Sequence, residues 1–296
     1  MNLREKIESG RFVITAEIGP PVGAGAEPLH KKAVHFRGVD AVNITDNQTA
    51  IVRMSSIACA RILLEQGIEP VIQVTCRDRN RIAIQSDLLG AWALGIQNVL
   101  CLTGDFQTFG NHPESRGVFD LDSIQLAAAV RGMNEGRLMS GDEIKDPPRF
   151  FIGAAANPFA EPFDFRIERL GKKMKAGAGF IQTQPVFDID HFRRWMEGLR
   201  SRGFHKRAAI LAGIMPVKSA KALAHMEKEV PGMRIPGELF DRMEKAADPK
   251  EEGVRIAIET IRDLRSLEGL AGFHLMPLMW ESITPRLLQE SGLRSS

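Results

Sequence analysis

The chain has 296 residues, of which 44% are hydrophobic and 26% charged, and its formal net charge is only +2. That balance belongs to a globular protein with a sizeable core, and the near-neutral charge removes the electrostatic case for nucleic acid. No run approaches the roughly 18 apolar residues that span a bilayer, and Met1 to Arg11 lacks the apolar stretch of a secretory signal, so no membrane contact is expected and the expected location is the cytoplasm.

Short apolar, β-branched runs alternate with segments of helical period along the whole chain. The first two runs are Val13–Gly19 and Val39–Thr45. Arg53–Gln66 then reads as an amphipathic helix closed by Gly67. Pro70–Cys76 is followed by a helix over Ser86–Leu94, stopped by Gly95. Asn98–Asp105 leads into a loop at Phe106–Asp122, and Gly132–Pro148 reads as a long polar connection. Arg149–Ala156 precedes a helix over Phe165–Lys175, and Gly179–Phe187 precedes one over His191–Ser201. Ala209–Val217 is followed by Ser219–Glu229, ending near Pro231, and by an extra helical stretch over Arg234–Asp248. The last run is Leu270–Leu278.

Each run is nearly continuous in apolar residues, as parallel strands buried on both faces are. Eight such runs alternating with helices predict α/β architecture, a (β/α)8 TIM barrel over 1–296 as one domain. The competing open, doubly wound sheet lacks its GxGxxG after the first strand.

Active sites of such barrels sit at the carboxyl ends of the strands. Glu17 lies inside the run Val13–Gly19, where an unpaired carboxylate is costly to bury. Burial favours the protonated form of a carboxyl, which suits a general acid; a structural carboxylate paired with a nearby Lys or Arg is the equal alternative. The chain has no tyrosine, so a proton donor must be a carboxylic acid, His, Lys or thiol. Asp105 follows Thr103-Gly104, where it either faces a ligand or serves as a turn or cap aspartate. Alternation sends Gln182 and Gln184 to one face of their strand, suited to the edge of a heterocycle or to a hydrogen-bonded barrel interior. His274 reads more readily as a core residue, and Lys172, Lys173 and Lys175 as a solvated face. Cys59, Cys76 and Cys101 form no CxxC pair, so no metal site is expected. Composition and spacing stop at a barrel enzyme with an acid and several amides at its mouth.

Five segments in register carry a resemblance: Ala16-Glu17-Ile18-Gly19-Pro20-Pro21, Thr75-Cys76-Arg77-Asp78-Arg79-Asn80, Leu102-Thr103-Gly104-Asp105, Thr183-Gln184-Pro185-Val186-Phe187-Asp188 and Gly213-Ile214-Met215-Pro216-Val217. Together they resemble the motifs of the methylenetetrahydrofolate reductases, from about Phe12 to Leu278. The resemblance implies a barrel carrying FAD, with FMN as the alternative flavin. It also implies interconversion of 5,10-methylenetetrahydrofolate and 5-methyltetrahydrofolate. Glu17 then matches the catalytic acid, Asp105 the carboxylate beside flavin and pterin, and Gln184 the pterin contact. Thr45, Gln73, Thr103, Gly104, Asn157 and Lys173 fall on flavin-binding positions.

The departures from the family pattern are as informative. Lys218-Ser219-Ala220 stands where better-known members carry an aromatic that stacks nicotinamide. Gln73 replaces a histidine, Ala154-Ala155-Ala156-Asn157-Pro158 replaces a Tyr-Pro, and Trp280 replaces an arginine associated with the folate glutamate. With Gly110-Asn111-His112-Pro113 and Val118–Ser123, these features resemble the branch that works with a separate zinc- or iron–sulfur-containing subunit in acetogen-type metabolism. An oligomer with electrons delivered through that partner is the expectation. The alternatives are a flavin-free folate-binding, methyltransferase-like or assembly subunit, and a flavin-free lyase or aldolase, for which no strand-end lysine offers a Schiff base.

Overall fold

The computed structural model describes residues 1–230 and 232–294. Eight strands run β1 (Val13–Ile18), β2 (Ala41–Ile44), β3 (Pro70–Thr75), β4 (Asn98–Leu102), β5 (Phe151–Ala156), β6 (Phe180–Pro185), β7 (Ala209–Ile214) and β8 (Leu270–Leu275). All pair in parallel and in chain order, and β8 returns to β1 with Thr15 opposite His274, so the sheet is a closed barrel. The helices are α1 (Leu3–Glu8), α2 (Glu27–Ala33), α3 (Ser56–Glu65), α4 (Arg81–Ala93), α5 (Ser123–Asn134), α6 (Phe163–Lys175), α7 (Ile189–Ser201), α8 (Ala220–Glu229), α9 (Gly237–Lys245), α10 (Pro249–Leu264) and α11 (Thr284–Glu290).

All eight expected strands are present, most of them shorter than the apolar runs. The run that begins with Asn98 ends as a strand at Leu102, before Asp105, and the last ends at Leu275 rather than Leu278. The connection expected over Gly132–Pro148 begins inside α5, whose N-terminus is fixed by an Asp122–Gln125 capping box. Helix α4 starts at Arg81, five residues before the expected Ser86, because Asn80 caps it by accepting from the Ile82 and Ala83 N–H groups. The expected stop near Pro231 lies outside the described residues.

Strand alternation divides each strand between two cores. In β1, Ile14, Ala16 and Ile18 face the helices, while Val13 belongs to a separate cluster inside the barrel. The interior cluster of Val13, Ala41, Val71, Leu100, Phe180 and Leu211 fills the amino-terminal end, and Leu3 of α1 joins it as a plug. The Leu3 N–H donates to both oxygens of Glu69 at 2.9 Å, which seats the plug. Two residues further along the same faces the interior becomes polar: Thr15, Asn43, Gln73 and Gln182, all buried. The barrel is therefore apolar at its base and polar towards its mouth, and one period of the strand separates the two.

Gly153 on β5 lies opposite Phe180 on β6. A Cβ there would fall 2.2 Å from the Phe180 ring. Gly153→Ala is therefore expected to lower stability by about 1–3 kcal/mol through overpacking, measured as a fall in the urea midpoint at unchanged slope.

Candidate active site

The mouth is built from the polar ends of the strands. Glu17 projects from β1 with its side chain 11% exposed. Its Oε2 accepts a hydrogen bond from Gln73 Nε2 at 3.0 Å and lies 3.8 Å from His274 Nε2. The His274 Nδ1 is 2.9 Å from the Thr15 hydroxyl. Gln182 Nε2 donates to Thr15 Oγ1 at 3.1 Å and to Asn43 Oδ1 at 3.0 Å, and Asn43 Nδ2 returns a bond to Gln182 Oε1 at 2.6 Å. Six side chains from five strands thus form one connected network that ends on a carboxyl group. No Lys or Arg pairs with Glu17 among the described residues, and the basic side chain beside it is His274.

A second set of contacts fixes the loops beside this network. Arg77, 2% exposed, grips both Asp78 oxygens at 2.7 Å through Nε and Nη2. The same guanidinium donates to the Asn47 carbonyl at 3.1 Å and the Asp105 carbonyl at 3.3 Å. It ties the loops after β2, β3 and β4 together. Hydrogen bonding to Asp78 raises the Arg77 pKa; in return the guanidinium holds Asp78 below the usual carboxylate range against the opposing effect of burial. Asp46 accepts from the Thr75 N–H and hydroxyl at 2.9 Å and pairs with Arg79. The Thr75–Asn80 motif is accordingly a loop clamp, with Asn80 starting α4.

Gly104 has φ +94°, and a Cβ on it would meet Arg77 and Thr75 side chains at 3.1 Å. Arg77 and Thr75 thus pack directly against the Gly104 backbone. Asp105, next in the chain, is exposed at the rim. Thr103 Oγ1 accepts from the Ser123 N–H at the start of α5. Thr45 is buried, and its hydroxyl has no protein partner, so a polar ligand atom at the mouth is what would satisfy it.

Across the mouth, a cavity of about 200 Å³ is lined by Ala155, Ala156, Asn157, Gln184, Arg166, Arg169 and Lys173. The small side chains of Ala155 and Ala156 on β5 leave this space open. Lys173 Nζ donates to the Ala155 carbonyl at 2.6 Å and forms no ion pair among the described residues. Burial pushes its ammonium down to about 8 from 10.5. Lys172 and Lys175 are exposed, as a solvated face requires, while Lys173 turns inward. Arg166, Arg169 and Lys173 recur at helical spacing on one face of α6, with Asp122 3.6 Å from Arg169 as the nearby acid. Sequence reading did not single out Arg166 or Arg169; their spacing to Lys173 was the available signal. It also set His274 aside as core. That residue is buried, but it stands next to Glu17.

Fold and site together define the class: a (β/α)8 barrel with a carboxyl, a histidine and amides converging at the carboxyl mouth, beside a cationic cavity. The methylenetetrahydrofolate reductase family model matches residues 2–292, and the chain belongs to that family. Methylenetetrahydrofolate reductase 2 of Schizosaccharomyces pombe is 26% identical across 99% of this chain and 47% of its own length. The Escherichia coli 5,10-methylenetetrahydrofolate reductase is 26% identical across 77% of this chain and 72% of its own. The chain spans between about a third and a half of the two S. pombe relatives it matches. A Clostridium thermocellum protein described as binding two copies of 5-methyl-5,6,7,8-tetrahydrofolic acid shares the fold, with a TM-score of 0.67 and 15% identity over 98% of this chain and 96% of that one. Among the described residues no helix is long and apolar enough to cross a membrane, and no cluster of His, Cys, Asp and Glu has the makings of a metal site.

Proposed function

We propose that residues 1–296 act as one flavin-binding barrel that interconverts 5,10-methylenetetrahydrofolate and 5-methyltetrahydrofolate. The observation that carries this reading is a half-buried carboxyl, Glu17, at the mouth, which accepts a hydrogen bond from Gln73 and lies 3.8 Å from His274. Family membership and the folate recorded for the C. thermocellum neighbour support the substrate class.

The residues present fit a flavin nucleotide. Thr45 offers an unsatisfied buried hydroxyl, Thr103, Gly104 and Asp105 form the adjoining rim, and Gln73 borders Glu17. Asn157 and Lys173 lie in the cationic cavity, where Arg166 and Arg169 suit a phosphate. FAD is the proposed cofactor and FMN the alternative. When bound, it supplies the hydride that the chain's own side chains lack.

The protein's part is proton transfer and orientation. Opening the bridged ring of the folate breaks a carbon–nitrogen bond, and Glu17 delivers a proton to the departing nitrogen. Asp105 places negative charge where the substrate carbon becomes cationic. Gln184, partly exposed in the cavity, presents an amide to the pterin edge. Electrons are proposed to arrive through a zinc- or iron–sulfur-containing partner subunit, since Ala220 at the start of α8 offers no ring on which nicotinamide could stack.

Native purification tests the reading. The protein should carry a flavin band at ~450 nm, the absorption of any oxidised flavin, and the released cofactor, returned to the chain and reduced with dithionite, should be reoxidised by methylenetetrahydrofolate. A colourless protein that binds folate without turnover would overturn it in favour of a flavin-free subunit.

The cavity adds a pH dependence. Below about 8 the Lys173 ammonium is charged and attracts a phosphate; above that value the free site loses its proton. Anion binding raises the value again, so binding takes up a proton as the pH passes 8. Flavin affinity is expected to fall about tenfold between roughly pH 7 and pH 9, read by fluorescence titration. The flavin-free protein should show the opposite trend in stability. Its unfolded state keeps the Lys173 proton between about 8 and 10.5, so this group's contribution rises with pH there.

A further inference from the structure

We propose that the Asn43–Gln182 amide pair fixes the tautomer of His274 and makes Gln182 a positioning residue for Glu17. The inference deepens the reading above and rests on it for its catalytic meaning, but its central observable needs neither flavin nor folate.

The argument follows hydrogens through the barrel interior. Asn43 and Gln182 exchange two amide hydrogen bonds, at 2.6 and 3.0 Å, and so set each other's orientation. Gln182 has one further N–H, which it donates to Thr15 Oγ1 at 3.1 Å. Thr15 has a single hydroxyl hydrogen. Its only other partner among the described residues is His274 Nδ1 at 2.9 Å, so the hydroxyl donates there and Nδ1 accepts. The neutral ring then carries its hydrogen on Nε2, the nitrogen 3.8 Å from Glu17 Oε2.

Turning both amides around would reverse every bond in this chain. Gln182 would accept from Thr15, Thr15 would accept from Nδ1–H, and the Nε2 lone pair would face the carboxylate. Wherever Glu17 is ionised it is an acceptor only, and the reversed chain then sets two lone pairs against each other at its end, in an interior where unpaired polar atoms are costly. The direction set by the amide pair instead turns two N–H groups toward one oxygen, Gln73 Nε2 hydrogen-bonded at 3.0 Å and His274 Nε2 at 3.8 Å. Oε1 has no protein hydrogen bond among the described residues, which leaves it as the oxygen that exchanges a proton with substrate. Thr15, Asn43, Gln182 and His274 are all at most 3% exposed, so water does not scramble the order.

The test is nitrogen-15 NMR of the flavin-free full chain labelled in histidine, at near-neutral pH, with the His274 signals assigned through His274→Gln. The wild type is expected to show Nε2–H and a bare Nδ1. Gln182→Glu replaces the donor with an acceptor, draws the Thr15 hydroxyl hydrogen away and is expected to move the ring to Nδ1–H. Gln182→Met removes both and is expected to give a mixture. In the loaded enzyme, Gln182→Met should lower kcat by about tenfold while KM stays within about twofold.

An Nδ1–H wild type overturns the proposal, whatever the variants do. So does an unchanged tautomer in both folded variants, or a changed tautomer with unchanged kcat. Because the wild-type spectrum decides the first point alone, a variant that fails to fold leaves the test intact. A chain that proved to have another activity would still show the tautomer assigned here.

Discussion

Glu17→Gln is expected to abolish most folate reduction while sparing the fold and the flavin. Loss of a positioned general acid costs about 10²–10⁴-fold. The amide is nearly isosteric and keeps an acceptor for Gln73, whose 3.0 Å bond is the side chain's one protein hydrogen bond among the described residues. Stability should therefore change by no more than about 1 kcal/mol. What the amide cannot do is give up a proton to a leaving nitrogen. The measurement is single-turnover oxidation of the reduced flavoprotein by methylenetetrahydrofolate, beside thermal unfolding and the flavin spectrum. Turnover near the wild-type rate would place the acid elsewhere. His274 would be the next candidate, because it is the other titratable side chain in the network.

NADH is expected to leave the flavin of the isolated chain oxidised on the stopped-flow timescale. Direct hydride transfer needs the nicotinamide held face-on at about 3–3.5 Å, and a stacking ring is what usually pre-orders such a flat, weakly hydrated group. The segment after β7 offers none. Ser219 is occupied as the cap of α8, accepting from the Ala222 N–H at 3.2 Å, and Ala220 presents a methyl group. Lys218 is drawn away, with its Nζ 3.0 Å from the Met279 carbonyl and 5.3 Å above the Trp280 ring. The exposed rings Phe106, Phe109 and Phe165 belong to segments that follow β4 and β5, and Trp280, after β8, has the Lys218 ammonium over its face. Bleaching should therefore be far slower than the roughly 1 s⁻¹ that marks the low end of ordinary turnover, and should become fast when the electron-delivering subunit is added. Rapid bleaching by NADH alone would remove the need for a partner.

The two experiments bear on different residues and different half-reactions. In the proposed reaction Glu17 serves the folate half-reaction, so its loss should leave flavin reduction intact. The segment at Ala220 bears on the proposed electron donor, so its chemistry should leave the folate half-reaction intact. A result against one leaves the other standing.

Much of this was legible in the amino-acid order because strand chemistry is local. Eight apolar runs separated by helical periods determine a (β/α)8 barrel, since a parallel strand buried on both faces must be apolar along its length. The strand-end rule then picks out Glu17, Asp105 and Gln184 as mouth residues. The period of two also carries the graded interior: Val13, Thr15, Glu17 on β1 and Phe180, Gln182, Gln184 on β6 run from apolar base to polar mouth on one face each.

Closure decided the rest. Thr15 and His274 are 259 positions apart and meet because β8 pairs with β1. Asn43 and Gln182 are 139 apart and meet across the interior. Such contacts depend on how the strands are staggered around the barrel, which no local pattern records, so His274 read as core although it stands beside the acid. Arg77 likewise looked like one charge in a motif until three loops converged on its guanidinium. Composition and period determine which side chains point inward; only the closed sheet determines which of them touch, because a hydrogen bond needs two partners placed to within a few tenths of an ångström.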